Sequence, residues 1–201
     1  GINGVTNEFP DPNELEVSIG RSRYMADILS TRTIAFGAKA CYPYKTKTDI
    51  TTCVSSKNLE ENNIGEPVCD ISGEKVKSGT VSSGPVQVSS VTESFLGSNS
   101  IKFDIIIENS GEGTVVDKDI ACDTYGLGNT GVVFVKLPDD YKCTFPDGSK
   151  TNQGKISIQT GSKTLRCELE ASGNFEDRLI MELDYKYVDA GSITIEVNIP
   201  S

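Results

Sequence analysis

The sequence predicts an all-β fold, an antiparallel β-sandwich with little helix, and three features carry that expectation. The first is period-2 alternation. In the stretch SIKFDIIIEN, Ile101, Phe103, Ile105 and Ile107 fall on one side while Lys102, Asp104 and Glu108 fall on the other, the spacing of a half-buried strand. The second is composition: Val, Ile, Thr, Tyr and Phe sit among 19 Gly and many Ser and Asn, a mixture that favours strands and tight turns. The third is cysteine usage. Cys41, Cys53, Cys69, Cys122, Cys143 and Cys167 occur with no His and no CxxC pair. Zinc sites need short paired spacings, so an even count at wide intervals predicts disulfides and an oxidising location.

Taken in order, residues 1–13 are rich in turn formers, and residues 14–20 alternate through Leu15, Val17 and Ile19 as a first strand. Residues 21–30 carry Tyr24, Met25, Ile28 and Leu29 at helical spacing and admit a short helix or turn. Residues 31–44 form a strand with Ile34, Phe36, Ala38, Ala40 and Tyr42 on one face; Pro43 ends its pairing or places it at an edge. Residues 49–54 form a shorter strand, 55–66 a polar loop, and 67–72 and 75–78 short strands around Gly73.

Residues 85–91 resume with Val86 and Val88 inward, and the 100–109 strand is stopped by Asn109, Ser110, Gly111 and Gly113. Val133, Val135 and Leu137 then share a face, and Cys143 lies in a strand ended by the PDGS turn at 146–149. Residues 154–159 and 163–170, separated by Thr160, Gly161 and Ser162, have the pattern of a hairpin. Residues 177–188 are a long strand with Leu179, Met181, Leu183, Tyr185 and Tyr187 inward. A last strand over 192–200 alternates Ile193, Ile195, Val197 and Ile199 against Thr194, Glu196 and Asn198.

At 201 residues the chain has room for one large sandwich or two domains of about 100 residues. The most linker-like stretch, residues 78–84, divides it into an N-terminal β-rich domain (1–84) and a C-terminal sandwich (85–201). Three cysteines lie before residue 70 and three after 120, so complete pairing requires an odd number of bridges between the halves. The expected set is Cys143–Cys167, Cys53–Cys69 and Cys41–Cys122, one of many pairings that six cysteines allow.

The run FDIIIENSGEGTVV, around Phe103–Gly113, resembles the strand–turn signature of immunoglobulin-like cell-surface modules. It is most similar to the cell-adhesion-related (CARDB-type) domains of archaeal and bacterial envelope proteins. That resemblance covers residues 85–201 and implies an immunoglobulin-like sandwich exported to the cell surface.

A net charge of −10 without a Lys/Arg cluster excludes a nucleic-acid face, and no apolar run is long enough for a transmembrane segment. The start at Gly1, without Met or a signal core, is that expected of a mature product or excised ectodomain. Without His there is no Ser-His-Asp or Cys-His arrangement. Asp139 and Asp140 are the best pair for two-carboxylate hydrolysis, but they sit where a turn is expected. Asp117, Asp119 and Asp123 could offer calcium oxygen ligands, although DKDIACD lacks the spacing and glycine of a helix–loop–helix calcium loop. Trp is absent, and Tyr42/Tyr44 and Tyr185/Tyr187 are expected to pack in a core rather than form a sugar platform.

The reading is a non-enzymatic extracellular structural protein without cofactors, a subunit of a cell-surface layer or filament. Its partners are copies of itself or other envelope proteins, with Ile193, Ile195, Val197 and Ile199 as an assembly strand. The alternative is an adhesion or ligand-binding ectodomain for glycan or protein.

Overall fold

The computed structural model describes residues 18, 25, 30–55, 69–158, 161–171 and 173–198. Their elements are β1 (Arg32–Val54), β2 (Val86–Phe95), β3 (Ser100–Asn109), β4 (Thr114–Val116), β5 (Val132–Lys136), β6 (Lys142–Thr144), β7 (Lys150–Thr151), β8 (Gln153–Ser157), β9 (Ser162–Glu170) and β10 (Phe175–Val197), with one 3₁₀ turn at Leu127–Asn129. One sheet has the order β1-β10-β5-β8, with β4 also on β10; the other is β2-β3-β9-β6-β7. Residues 39–190 make one compact unit, and residues 1–38 with 191–201 make another.

Within Lys39–Ala190 the two antiparallel sheets enclose one core, an all-β sandwich. The alternating face of β3 is its centre: Ile101, Phe103, Ile105 and Ile107 are completely buried. Facing residues come from the other sheet, including Val133, Val135, Leu179, Met181, Leu183 and Tyr185. Tyr141 enters between them, its ring 5.2 Å from that of Phe103. In β2 the register against β3 shifts between Val88 and Ser90. This bulge moves the inward phase from Val86 and Val88 to Val91 and Glu93.

Both sides of the sandwich are closed by chain that crosses between sheets. On one side Glu74 bridges Thr92 of β2 and Val81 bridges Thr48 of β1, with Asp49 donating to Thr80 O at 2.8 Å and Ser82 donating to Lys47 O at 2.8 Å. On the other side the chain leaves β7 and enters β8 through Asn152, whose carbonyl accepts from Leu137 N at 2.9 Å. Strand edges that would otherwise invite aggregation are thereby partly covered.

Four expectations need correction. β8 and β9 do not form a hairpin: β8 pairs with β5 and β9 with β3 and β6, so the chain changes sheets between them. A turn flanked by alternating strands looks the same in sequence whether it returns along one sheet or crosses to the other. Residues 75–78 are not a strand; isolated bridges only flank them, at Glu74 and Val81. The candidate strands at 31–44 and 49–54 are one continuous β1, which tolerates Pro43 because β1 is an edge strand. Likewise β10 continues through Ala190 and Gly191 to Val197 instead of breaking. The expected elements at 14–20, 21–30 and 55–66 lie wholly or mostly outside the described residues, as does Ile199.

All six cysteines are paired, as Cys41–Cys122, Cys53–Cys69 and Cys143–Cys167. Cys143 and Cys167 lie directly opposite each other in the β6–β9 register, both fully buried. Cys41 ties β1 to the loop after β4 across 81 residues of sequence, the longest loop closed and the one with the greatest entropic effect on the unfolded chain.

Candidate interaction surfaces

The described part of the terminal unit is a two-stranded ribbon. Thr31 Oγ1 donates to Asn198 Oδ1 at 3.1 Å, and a Cβ placed on Gly37 would meet Gly191 O at 3.9 Å. The indices run in opposite senses, so the strands are antiparallel. No residue from Thr31 to Ala38 or from Gly191 to Asn198 is buried. Phe36 is 40% exposed, Ile193 67% and Ile195 42%, whereas Ile34 and Val197 are half-buried. The sequence predicts that Ile193, Ile195 and Val197 share one face of a strand; β10 does extend over them, with Ile193 and Ile195 exposed and Val197 half-buried.

The tyrosines Tyr42, Tyr44, Tyr185 and Tyr187 form a continuous cluster, with ring centroids 5.6 to 6.5 Å apart. Tyr185 and Tyr187 are buried, and Tyr42 and Tyr44 pack against the core from its margin. The hydroxyls of Tyr42, Tyr185 and Tyr187 are used internally. Tyr185 Oη accepts from Val86 N at 3.1 Å, and burial pushes its pKa up to about 12. Tyr187 Oη accepts from Gly113 N at 2.7 Å. Gly113 is required there because a Cβ would lie 2.7 Å from Val188 O. Tyr42 Oη donates to Asp189 at 2.5 Å; burial and that carboxylate both raise its pKa.

The loop carboxylates are occupied from within the chain. Lys155 Nζ lies 2.7 Å from Asp117 Oδ2 and 2.9 Å from Asp119 Oδ2, so an ammonium fills the place where a cation between these two would sit. Hydrogen bonds from Lys155 and Lys118 hold Asp119 down at a pKa of about 2. Asp123 is exposed and does not join them in an ion pair among the described residues. No three His, Cys, Asp or Glu side chains among the described residues are placed to hold a metal.

Asp139 and Asp140 lie on the wall of a cleft of roughly 630 Å³ at the end of the sandwich where β1 finishes and β10 begins. Glu168, Glu170 and Asp177 share that wall with Lys142, and Phe175, 43% exposed, supplies apolar surface. Asp139 accepts from Asn152 Nδ2 at 2.8 Å. Lys142 pairs with Glu170 at 3.2 Å and Lys150 with Glu168 at 3.5 Å. Among the described residues no ion pair engages Asp140 or Asp177.

One polar cluster was not found in the sequence. Glu93, its side chain fully buried, accepts from Cys53 N at 3.0 Å and pairs with Lys75 Nζ at 3.2 Å. Lys75 also donates to Asp70 O at 2.5 Å. Burial outweighs these partners and pushes Glu93 up to about 7. A signal existed: Ser89–Ser90 separates two alternating runs of opposite phase, and the phase of Val91 carries Glu93 inward. Comparison with known proteins gives no match to a family model, a curated protein or a solved structure.

Proposed function

We propose that this protein is a non-enzymatic structural subunit, immunoglobulin-like in its sandwich, that assembles with copies of itself into an extracellular layer or filament. The observation that carries this is the exposed ribbon: an alternating strand pair presenting Phe36, Ile193 and Ile195 to solvent. Apolar side chains at strand spacing on an uncovered face are a surface for strand or face packing by a partner, and an isolated two-stranded ribbon is marginal in water. Three disulfides fit an oxidising environment. The likeness of the Phe103–Gly113 run to envelope modules points the same way.

The test is association of the purified, oxidised chain over a wide concentration range, by sedimentation velocity with negative-stain imaging. We expect concentration-dependent oligomers that grow into regular polymers or sheets. A monomer persisting at millimolar concentration would overturn the proposal.

A further inference from the structure

We propose that the segment between Gly73 and Gly79 is a hinged flap on the side of the sandwich, clasped to β2 by Glu74 and Lys75, which opens as pH rises and uncovers the outer edge of β2. The inference stands apart from self-assembly.

The flap is anchored to β1 at both ends. Before it, the Cys53–Cys69 bridge holds the chain to β1. After it, Thr80 O accepts from Asp49 N at 2.8 Å and Val81 bridges Thr48. Gly73 and Gly79 have φ of 83° and 85° and open space where a side chain would stand. Glycine moves between such conformations at little cost, as a hinge position must. Between the hinges, the hold on β2 is one bridge, Glu74 to Thr92, one backbone bond, Lys75 N to Val91 O at 2.9 Å, and a set of side-chain bonds. The Glu74 carboxylate accepts from Val91 N at 2.7 Å and from Ser90 Oγ at 2.5 Å, and Lys75 Nζ lies 3.2 Å from Glu93. So few bonds make a local opening much cheaper than unfolding. A cavity of roughly 330 Å³ between flap and β1, lined by Thr52, Cys53, Asp70 and Lys75 among others, admits water to the clasp.

The two carboxylates of the clasp respond to pH in opposite senses. Burial raises Glu93 to about 7 against the pull of the Cys53 amide and Lys75. The ionisable groups acting on it are Lys75 and Asp70, beside the flap, and the Tyr141 phenol, which burial keeps neutral. Opening parts Lys75 from Glu93 but lets water solvate the carboxylate, returning it toward an ordinary value of about 4.3. The closed flap thus holds a proton that the open one releases, and a rise in pH from 5 to 8 favours opening. Burial raises Glu74 also, but bonds from Ser90, Val91 and Val76 prevail and hold it below its ordinary value, so its grip weakens only as pH falls. Once the flap lifts, the Val91 N–H and C=O stand free on a sheet edge, where an extended chain can add as a strand.

Amide hydrogen exchange of the oxidised wild-type chain at pH 5 and pH 8, read by NMR as protection relative to the intrinsic rate, tests this. We expect protection of the Lys75 and Val91 amides to fall at least about tenfold between the two pH values. Below the unfolding transition their exchange should be nearly independent of urea. The Asp49 and Ser82 amides, bonded outside the hinges to Thr80 O and Lys47 O, should exchange more slowly and with the urea dependence of full unfolding, as should the β3–β9 ladder. Glu93→Gln should abolish the pH response of Lys75 and Val91. If these two amides exchange in step with Asp49 and Ser82, there is no separate flap. If their protection is unchanged from pH 5 to pH 8 in wild type, or if Glu93→Gln keeps the wild-type response, Glu93 does not control it. Either result overturns the proposal, and the wild-type comparison decides it even if the variant does not fold.

Discussion

Leu179, Met181, Leu183 and Tyr185 are completely buried in β10, whereas Ile193 and Ile195, on the same strand and with the same spacing, are 67% and 42% exposed. β1 shows the same contrast in the opposite order, with Phe36 exposed near its start and Ile50 and Val54 buried at its end. Alternation decides which side chains share a face. It does not decide whether anything covers that face. The buried stretches are covered by β2, β3, β6 and β9 of the facing sheet; the exposed stretches have an apolar face without an equivalent cover among the described residues. The difference teaches that strand alternation can continue along one strand beyond the stretch that the facing sheet covers.

The largest expected effect falls where these two stretches of β1 meet, at Cys41. Replacing Cys41 and Cys122 by Ser frees an 81-residue loop and should lower unfolding free energy by about 4.5 kcal/mol on loop-entropy grounds. Denaturant midpoints of the double variant and wild type under oxidising conditions check this. A loss below about 1 kcal/mol would mean that the pairing of β1 holds the strand without the bridge.

Next in size is the direct contrast along β10. Leu183→Ala should cost about 3 kcal/mol through lost burial and a residual cavity. Ile193→Ala should change monomer stability by less than about 0.5 kcal/mol, as for an exposed site. Urea unfolding at a concentration where the protein is monomeric measures both. Equal losses at the two positions would show that Ile193 is already packed within its own chain, removing the basis for an external partner.

A smaller and pH-dependent effect separates Glu93 from the surface carboxylates. Its folded pKa is raised to about 7 by burial. Its contribution is therefore complete below the unfolded value, about 4.3, and fades as pH rises through 7. Lys75 and Asp70 are the charged groups that act on it, the first favouring the carboxylate and the second opposing it. Glu182, lowered by Lys47 and Lys45, and Asp119, lowered by Lys155 and Lys118, shift the opposite way, so their stabilisation is lost as pH falls rather than as it rises. Wild type should lose stability between pH 5 and pH 8, and Glu93→Gln should flatten that slope, as read from urea midpoints at the two pH values. A wild-type curve already flat in this range would place Glu93 as an ordinary ionised partner of Lys75.

Much of the sandwich was legible because its cause is local. The inward faces of β3, β9 and β10 follow from alternation alone, and the Cys143–Cys167 bridge joins inward positions of neighbouring strands. The three-disulfide set also matches the expected pairing. What sequence did not disclose depends on distant partners. The sheet change between β8 and β9 is set by which strand each finds, and the Lys75–Glu93 pair by a bulge in β2 that reverses the inward phase. For the candidate interaction surface the situation is intermediate: Ile193, Ile195 and Val197 stand out in the sequence as a strand, but the exposure of Ile193 and Ile195 required the fold. Asp139 and Asp140 stand out as a pair in the sequence, while their cleft, assembled from five separate segments, does not.

The most direct measurement is the paired effect of Ile193→Asp with Ile195→Asp on stability and on assembly, made on one preparation. We expect the unfolding free energy of the monomer to stay within about 0.5 kcal/mol of wild type, while polymers vanish from negative-stain fields and sedimentation shows a monomer. Polymers of normal length from the double variant, or a monomer that unfolds along with the loss of assembly, would contradict an external role for the exposed half of β10.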